Sequence, residues 1–266
     1  MSSGNAREHL LLESHGVRVE VEVQALELLP EITRILPPGH TLVREFPEDG
    51  HFTIGGADGQ YWVQLDGGEI ASGVAADVAV QALDAQLRAR IALVAPDVIF
   101  VHAGVVAVNG HAIALPGRSF SGKTTLVAAL VAAGATYYSD EFAVITRDGT
   151  VLPYAKPLSI RSEGNRYGNV TPVEALGGTA GEVPTRLALV ADLMYRADAE
   201  WAPRTLTPGA GALALLSNTV PARTRPAQVL EATTRAVGTA KVIAGDRGEA
   251  DVTAHALLRE LRAALR

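Results

Sequence analysis

The stretch that decides the reading is Leu115–Ala135, "LPGRSFSGKTTLVAALVAAGA". Gly117, Gly122, Lys123 and Thr124 fit the phosphate-loop spacing G-x-x-x-x-G-K-[ST]. Each residue type has a physical task. Glycines let successive backbone N–H groups curl round phosphate oxygens where a Cβ would obstruct them. The following helix adds its positive N-terminal end near Lys123. Lys123 supplies a point charge for the β and γ phosphates, and Thr124 a hydroxyl for Mg²⁺. The whole loop, Gly117, Arg118, Ser119, Phe120, Ser121, Gly122, Lys123, Thr124 and Thr125, is therefore expected to hold a nucleoside triphosphate.

Working outward, "VIFVHAGVVAV" (98–108) and "HAIALPG" (111–117) are joined by Asn109-Gly110, a strong hairpin signal because both central residues of a type I′ turn need positive φ. The strand feeding the loop is thus expected to arrive from an antiparallel hairpin rather than a parallel βαβ unit. Beyond the loop, "TTLVAALVAAGA" is a helix apolar nearly all round, to be covered on both sides and capped at Gly134. "TYYSDEFAVIT" (136–146) then reads as strand, Asp-Glu, strand. By spacing alone, Asp140 and Glu141 read either as acids near a loop-bound metal or as an exposed acidic turn. His102, mid-strand among apolar residues, reads first as a hydrogen-bonded core histidine.

Upstream, "VRVEVEV" (17–23) alternates as a half-buried strand, and "ALELLPEITRIL" (25–36) is helical with a break at Pro30. "HFTIGG" and "QYWVQLDGG" form a hairpin about Asp58-Gly59, and residues 75–94 form an amphipathic helix closed by Pro96. "RLALVADLMY" (186–195) reads as a buried strand, and Ala254, Leu257, Leu258, Leu261 and Leu265 mark a final helix. The expected division is a small α+β accessory domain over 1–74, suited to substrate recognition, and an ATP-binding domain over 75–266.

The bulk of the chain narrows the class. It has 266 residues, 48% hydrophobic and 20% charged, with 23 basic against 29 acidic residues and a net charge of −6. An acidic chain without a basic run is a poor partner for nucleic acid or an anionic membrane. The absence of cysteine removes disulfides, thiolate zinc sites and thiol nucleophiles, and fits a cytoplasmic enzyme. The N-terminal apolar run is too short for a signal-peptide core, and the apolar region 91–117 is broken by Asp97, His102, Asn109 and His111, so no membrane span is expected. The histidines show no metal-ligand spacing. Arg161, Arg204, Arg223 and Arg225 read as surface residues or phosphate contacts, and Tyr154 and Tyr195 as core residues or adenine neighbours. A homo-oligomer is compatible with the sequence, which sets no copy number.

The run "FVHAGVVAVNGHAIALPGRSFSGKTTLVAALVAAGATYYSDEFAVI" (100–145) resembles the HPr kinase/phosphorylase family and its relative, phosphoenolpyruvate carboxykinase. In that family a His-Gly-Val-type strand precedes the loop and an Asp-Asp pair follows its helix. Here His102 stands fifteen positions before Gly117 and Asp140 seventeen after Lys123. The resemblance implies an α/β fold with a mixed sheet of the phosphoenolpyruvate carboxykinase/HPr kinase type. It implies that Lys123 and Thr124 bind ATP and Mg²⁺, that Asp140 is the general base, that Glu141 helps to hold the metal, and that His102 lines the γ-phosphate or acceptor site. Arg118 and Phe120 depart from the loops of HPr kinases, and the family's Gly-rich acidic segment is missing, which puts HPr and the reverse phosphorolysis in doubt. "YSDEF", "KPLSIR" and "ALLSNTVPARTRP" look more like HPr-kinase-related proteins of high-GC bacteria, among them kinases that tailor ribosomal peptides on a serine hydroxyl. The expected activity is ATP- and Mg²⁺-dependent phosphorylation of a Ser or Thr hydroxyl on a peptide or protein. A small-molecule kinase and a non-catalytic nucleotide-binding module are the alternatives.

Overall fold

A computed structural model describes residues 6–45, 49–117, 121–162 and 165–266, with backbone alone for 161, 162 and 165–169. The chain is mixed α/β and divides into two compact units, Met1–Asp97 and Val98–Arg266. No helix among the described residues is long and apolar enough to cross a membrane.

In the first unit, β1 (Glu8–Ser14), β2 (Val17–Val23), β3 (Thr41–Leu42), β4 (His51–Ala57), β5 (Gln60–Leu65) and β6 (Gly68–Val74) make one sheet in the order β3-β1-β2-β4-β5-β6. Pairing is antiparallel except between β2 and β4. Three hairpins turn at His15-Gly16, Asp58-Gly59 and Asp66-Gly67, and in each pair both φ angles are positive, the type I′ signature that matches strand twist. Pro30 does not kink a long helix. A short 3₁₀ turn (Leu26–Leu28) precedes α1 (Leu29–Arg34), with the proline in the first turn, where its missing N–H costs no intrahelical bond. On β2, Val19, Val21 and Val23 are wholly buried, yet Glu20 and Glu22 on the other face are also nearly covered. His9 lies 2.6 Å from Glu20, and Arg7 donates to Glu22 at 2.9 Å, so paired charges replace the expected solvent-facing side.

The helix α2 (Ala76–Val94) packs on β4, β5, β6 and α1 and fully buries Leu83, Leu87 and Ile91. It thus belongs to the first unit, whose boundary falls after Asp97 rather than after residue 74 as the sequence suggested. An amphipathic pattern identifies a buried face but not the sheet that buries it.

The second unit is built about β7 (Val98–Val108). Asn109 and Gly110, with φ of 52° and 77°, turn it into β8 (His111–Pro116), as the Asn-Gly pair predicts. The loop follows, then α3 (Lys123–Ala132), β9 (Thr136–Ser139), β10 (Phe142–Thr146), β11 (Thr150–Leu152) and the two-stranded pair β12 (Leu158–Ser162) and β13 (Asn165–Thr171). After these come β14 (Thr185–Tyr195), β15 (Arg204–Leu206), α4 (Pro208–Leu216), α5 (Pro226–Val237), β16 (Lys241–Arg247) and α6 (Ala250–Ala264). The main sheet runs β11-β10-β7-β8-β14-β16-β15, with β9 also on β7. Its centre, β8, β14 and β16, is parallel, while β7 is antiparallel to β8.

Alternation along β7 sends Val101, Ala103 and Val105 to a core with Val229 and Val237 of α5, and Val106 to the opposite core with Leu126, Leu130 and Leu257 of α3 and α6. The unit is therefore a sheet between two helical layers. Gly104 sets how closely α3 approaches, because a Cβ there would lie 2.6 Å from Val127 Cγ2. That contact seats the helix, and with it the loop, over the middle of β7.

Candidate functional site

The loop leaves β8 at Pro116 and enters α3 through Gly122. Gly117 N–H donates to His102 O at 3.1 Å, tying the loop's first residue to β7. A Cβ on Gly117 would stand 3.0 Å from Ser121 Oγ, and one on Gly122, with φ of 78°, would stand 2.5 Å from Arg247 Nη2. Both positions therefore favour a residue without a Cβ. Arg118, Ser119 and Phe120 lie outside the described residues, and Thr125 is exposed on the first turn of α3.

Lys123 Nζ donates to Gly117 O at 2.8 Å, so the ammonium already spans the loop. Burial pulls its pKa down, while Asp140 and Glu141 hold it up. Thr124 Oγ1 donates to Asp140 Oδ2 at 2.9 Å, joining residues sixteen apart in the chain. For Asp140 this contact argues against the reading as an exposed acidic turn. Asp140 is only 9% exposed and directed at the loop, not a solvated turn.

The reason lies in strand pairing. Ser139 at the end of β9 pairs with Val105, and Phe142 at the start of β10 pairs with His102, so one neighbour of β7 is interrupted at Asp140-Glu141. Glu141 O still accepts from Ala103 N–H at 3.1 Å, and Ser139 Oγ accepts from the N–H groups of Glu141 and Phe142 at 3.1 and 2.9 Å. The interruption thus keeps the Glu141 backbone and the Phe142 N–H paired while Asp140 turns towards α3. Tyr137 OH stands 3.0 Å from Asp140 Oδ1 and 2.6 Å from Lys156 O. Burial, with the Asp140 charge added, pushes that phenol far above its usual range, so it is a neutral donor. Glu141 faces Lys156, Nζ to Oε2 3.8 Å.

His102 lies tilted against Phe142, ring centroids 4.8 Å apart, and its backbone N–H donates to Asn218 O at 2.8 Å. Burial holds its pKa below the ordinary value, opposed by Glu141 and assisted by Lys123. The imidazole is therefore neutral at pH 7, beside the lysine and the acids. Of the other weighed residues, Tyr154 is core, packed edge-on against Phe100 and Phe142 at 5.8 and 5.9 Å. Arg204 and Arg223 are exposed, Arg225 donates to Gln228, and of Arg161 only the backbone is described.

Sequence reasoning missed Arg247. At the carboxyl end of β16 it is 4% exposed, and it donates to Gly122 O at 3.0 Å and to Gly248 O at 3.1 Å. Its guanidinium lies 5.0 Å over the Tyr195 ring. A lone Arg after a β-branched strand carries no spacing signal, and only the parallel β8-β14-β16 arrangement brings it under the loop. Beside it a cleft of about 720 Å³ opens over the carboxyl ends of β8, β14 and β16, lined among others by Gly122, Asp192, Met194, Tyr195, Asn218 and Asp246. Open α/β sheets bind ligands at such a crevice.

Among the described residues no group of three or more His, Asp or Glu is arranged to hold a metal ion. Magnesium in phosphoryl-transfer sites takes one or two protein oxygens and completes its shell with water and phosphate, for which Thr124 and Asp140 are a sufficient set. No family model matches this chain, and no curated protein shows significant similarity to it.

Proposed function

We propose that the second unit is a phosphate-loop kinase domain of the HPr kinase/phosphoenolpyruvate carboxykinase kind. It would transfer the γ-phosphate of ATP to a Ser or Thr hydroxyl of a peptide or protein. The observation that carries this reading is the 2.9 Å contact between Thr124 Oγ1 and Asp140 Oδ2, which joins the loop hydroxyl to a buried acid on the neighbouring strand. A loop without that acid would support nucleotide binding only.

The residues divide the work by charge and position. The loop N–H groups and the α3 N-terminus receive phosphate oxygens, and Lys123 exchanges Gly117 O for an oxygen between the β and γ positions. Thr124 and Asp140 would be the protein oxygens for Mg²⁺, with Glu141 beside them, and the ion would supply neutralisation of the phosphate charge. Asp140 takes the acceptor hydroxyl's proton as that oxygen bonds to phosphorus and the bond to the ADP oxygen breaks. Neutral His102 lines the same flank and adds no charge to attract or repel the incoming hydroxyl. In the first unit β6 is a sheet edge, the kind of strand to which an extended peptide can add.

The test is incubation with γ-labelled ATP, Mg²⁺ and hydroxyl-bearing peptides, read by mass spectrometry. Lys123→Ala should lower turnover by about a hundredfold or more, the scale of removing one transition-state donor. Asp140→Asn should keep ATP binding and transfer poorly. Tight ATP binding by the wild type with no transfer to any peptide, sugar or amino acid would leave a binding module. Transfer to a small molecule alone would make it a metabolite kinase.

A further inference from the structure

Resting on the phosphate-loop reading, we propose that the cleft over β14 and β16 takes the nucleoside half of the triphosphate. The base stacks on Tyr195, and the ribose hydroxyls donate to Asp192. The argument begins with the order of the sheet. β8, which delivers the loop, lies between β7 and β14. Asp140 and His102 belong to the β7 flank, where Thr124 already meets Asp140. The cleft reaches from Asn218, whose carbonyl accepts the His102 backbone N–H, to β14 and β16, and beyond the loop most of its lining comes from those two strands. In phosphoryl transfer the attacking and leaving oxygens are roughly in line through phosphorus. An acceptor that gives its proton to Asp140 comes from the β7 flank, so the leaving diphosphate and its nucleoside extend over β14 and β16.

The walls of the cleft suit that occupant. Its volume of about 720 Å³ is within the roughly 300–1,000 Å³ of small-ligand sites. Tyr195 is 46% exposed at the end of β14, and Met194, which alternation turns to the other sheet face, is 62% exposed beside it. Tyr195 is fixed rather than loose, with Arg247 over its ring and its OH donating to Glu249 at 2.9 Å. A held ring stacks on a base at low entropic cost. Among the described residues nothing hydrogen-bonds or ion-pairs with the exposed Asp192 carboxylate, an acceptor-only group suited to a pair of hydroxyls. Asp246, beside Met194 on the neighbouring strand, is already taken by Arg196 at 3.2 Å.

The test compares Mg-ATP with Mg-tripolyphosphate, which has the phosphates and no nucleoside, by titration calorimetry on the full chain. Tyr195→Ala should weaken ATP about tenfold, the scale of one lost stacking contact, and leave tripolyphosphate unchanged. Asp192→Ala, at an exposed position that folding does not need, should weaken ATP severalfold and abolish the preference for ATP over 2′,3′-dideoxy-ATP. If the wild type binds both ligands and neither variant changes ATP affinity, the nucleoside lies elsewhere and the inference is wrong. Equal weakening of both ligands by both variants would also overturn it, since the residues would then act on the loop. A wild type that binds neither ligand would sink the phosphate-loop reading itself, and this inference with it.

Discussion

Gly59 and Gly122 have the same backbone φ of 78°, one in each unit, and they do different work. Gly59 closes the β4–β5 hairpin, and a Cβ placed on it would meet nothing within 4 Å. Gly122 makes the same bend at the mouth of α3, but there a Cβ would strike the Arg247 guanidinium, which bonds to the glycine's own carbonyl. The first glycine answers only to chain geometry. The second answers to chain geometry and to a buried cation that shares its space. Two glycines can thus share a φ and differ wholly in what surrounds them.

Substitution separates the two. Gly122→Ala should cost about 2–3 kcal/mol, adding a displaced Arg247 to the left-handed strain, and should weaken Mg-ATP binding at least tenfold. Gly59→Ala should cost only about 1 kcal/mol from strain and leave ATP affinity intact. Denaturant melts and calorimetry on both variants check this, and equal losses of affinity would erase the distinction.

A pair of tyrosines sharpens it at smaller scale. Tyr61 OH donates to Glu27 at 3.1 Å in the first unit, as Tyr137 OH does to Asp140 in the second. Either change to Phe should lower stability by about 1 kcal/mol, one hydrogen bond's worth. Only Tyr137→Phe should lower turnover, severalfold, with ATP affinity nearly kept. Parallel kinetics on the two variants decide it.

The smallest effect is in pH. Burial depresses His15 in the first unit and His102 in the second below the ordinary 6.5. A histidine with a lowered folded pKa binds its proton more readily unfolded, so stability is full above 6.5 and falls as pH drops below it. The loss should be no more than about 1 kcal/mol over one pH unit for each group. His102→Gln should flatten that slope for the second unit alone, and His15→Asn for the first, read by denaturation near pH 7 and below 6.

What the sequence disclosed follows the range of the forces involved. Local rules read well: Asn109-Gly110 turned as expected, the loop fell between a strand and a helix, and Asp140-Glu141 broke two strands. β1 was missed because "EHLLLES" stacks three leucines in a row instead of alternating, and because His15-Gly16 makes the same positive-φ turn as Asn109-Gly110 without the asparagine that signals it. β6 hid behind "GEIASGV", short of β-branched residues. Whatever depended on which distant element covers which face, such as the allegiance of α2 or the place of Arg247, could not be read from spacing.

Tyr137 carries one consequence further. Its hydroxyl has a single hydrogen, yet both Asp140 Oδ1 and Lys156 O are within reach as acceptors. Whichever acceptor is more basic claims it, so the hydrogen reports the charge on Asp140. While that carboxylate is bare it competes strongly. When a cation draws its electron density away, the hydrogen belongs to Lys156 O, and Lys156 is the residue whose ammonium faces Glu141. That one phenolic hydrogen thereby connects the charge on Asp140 to the chain segment beyond β11.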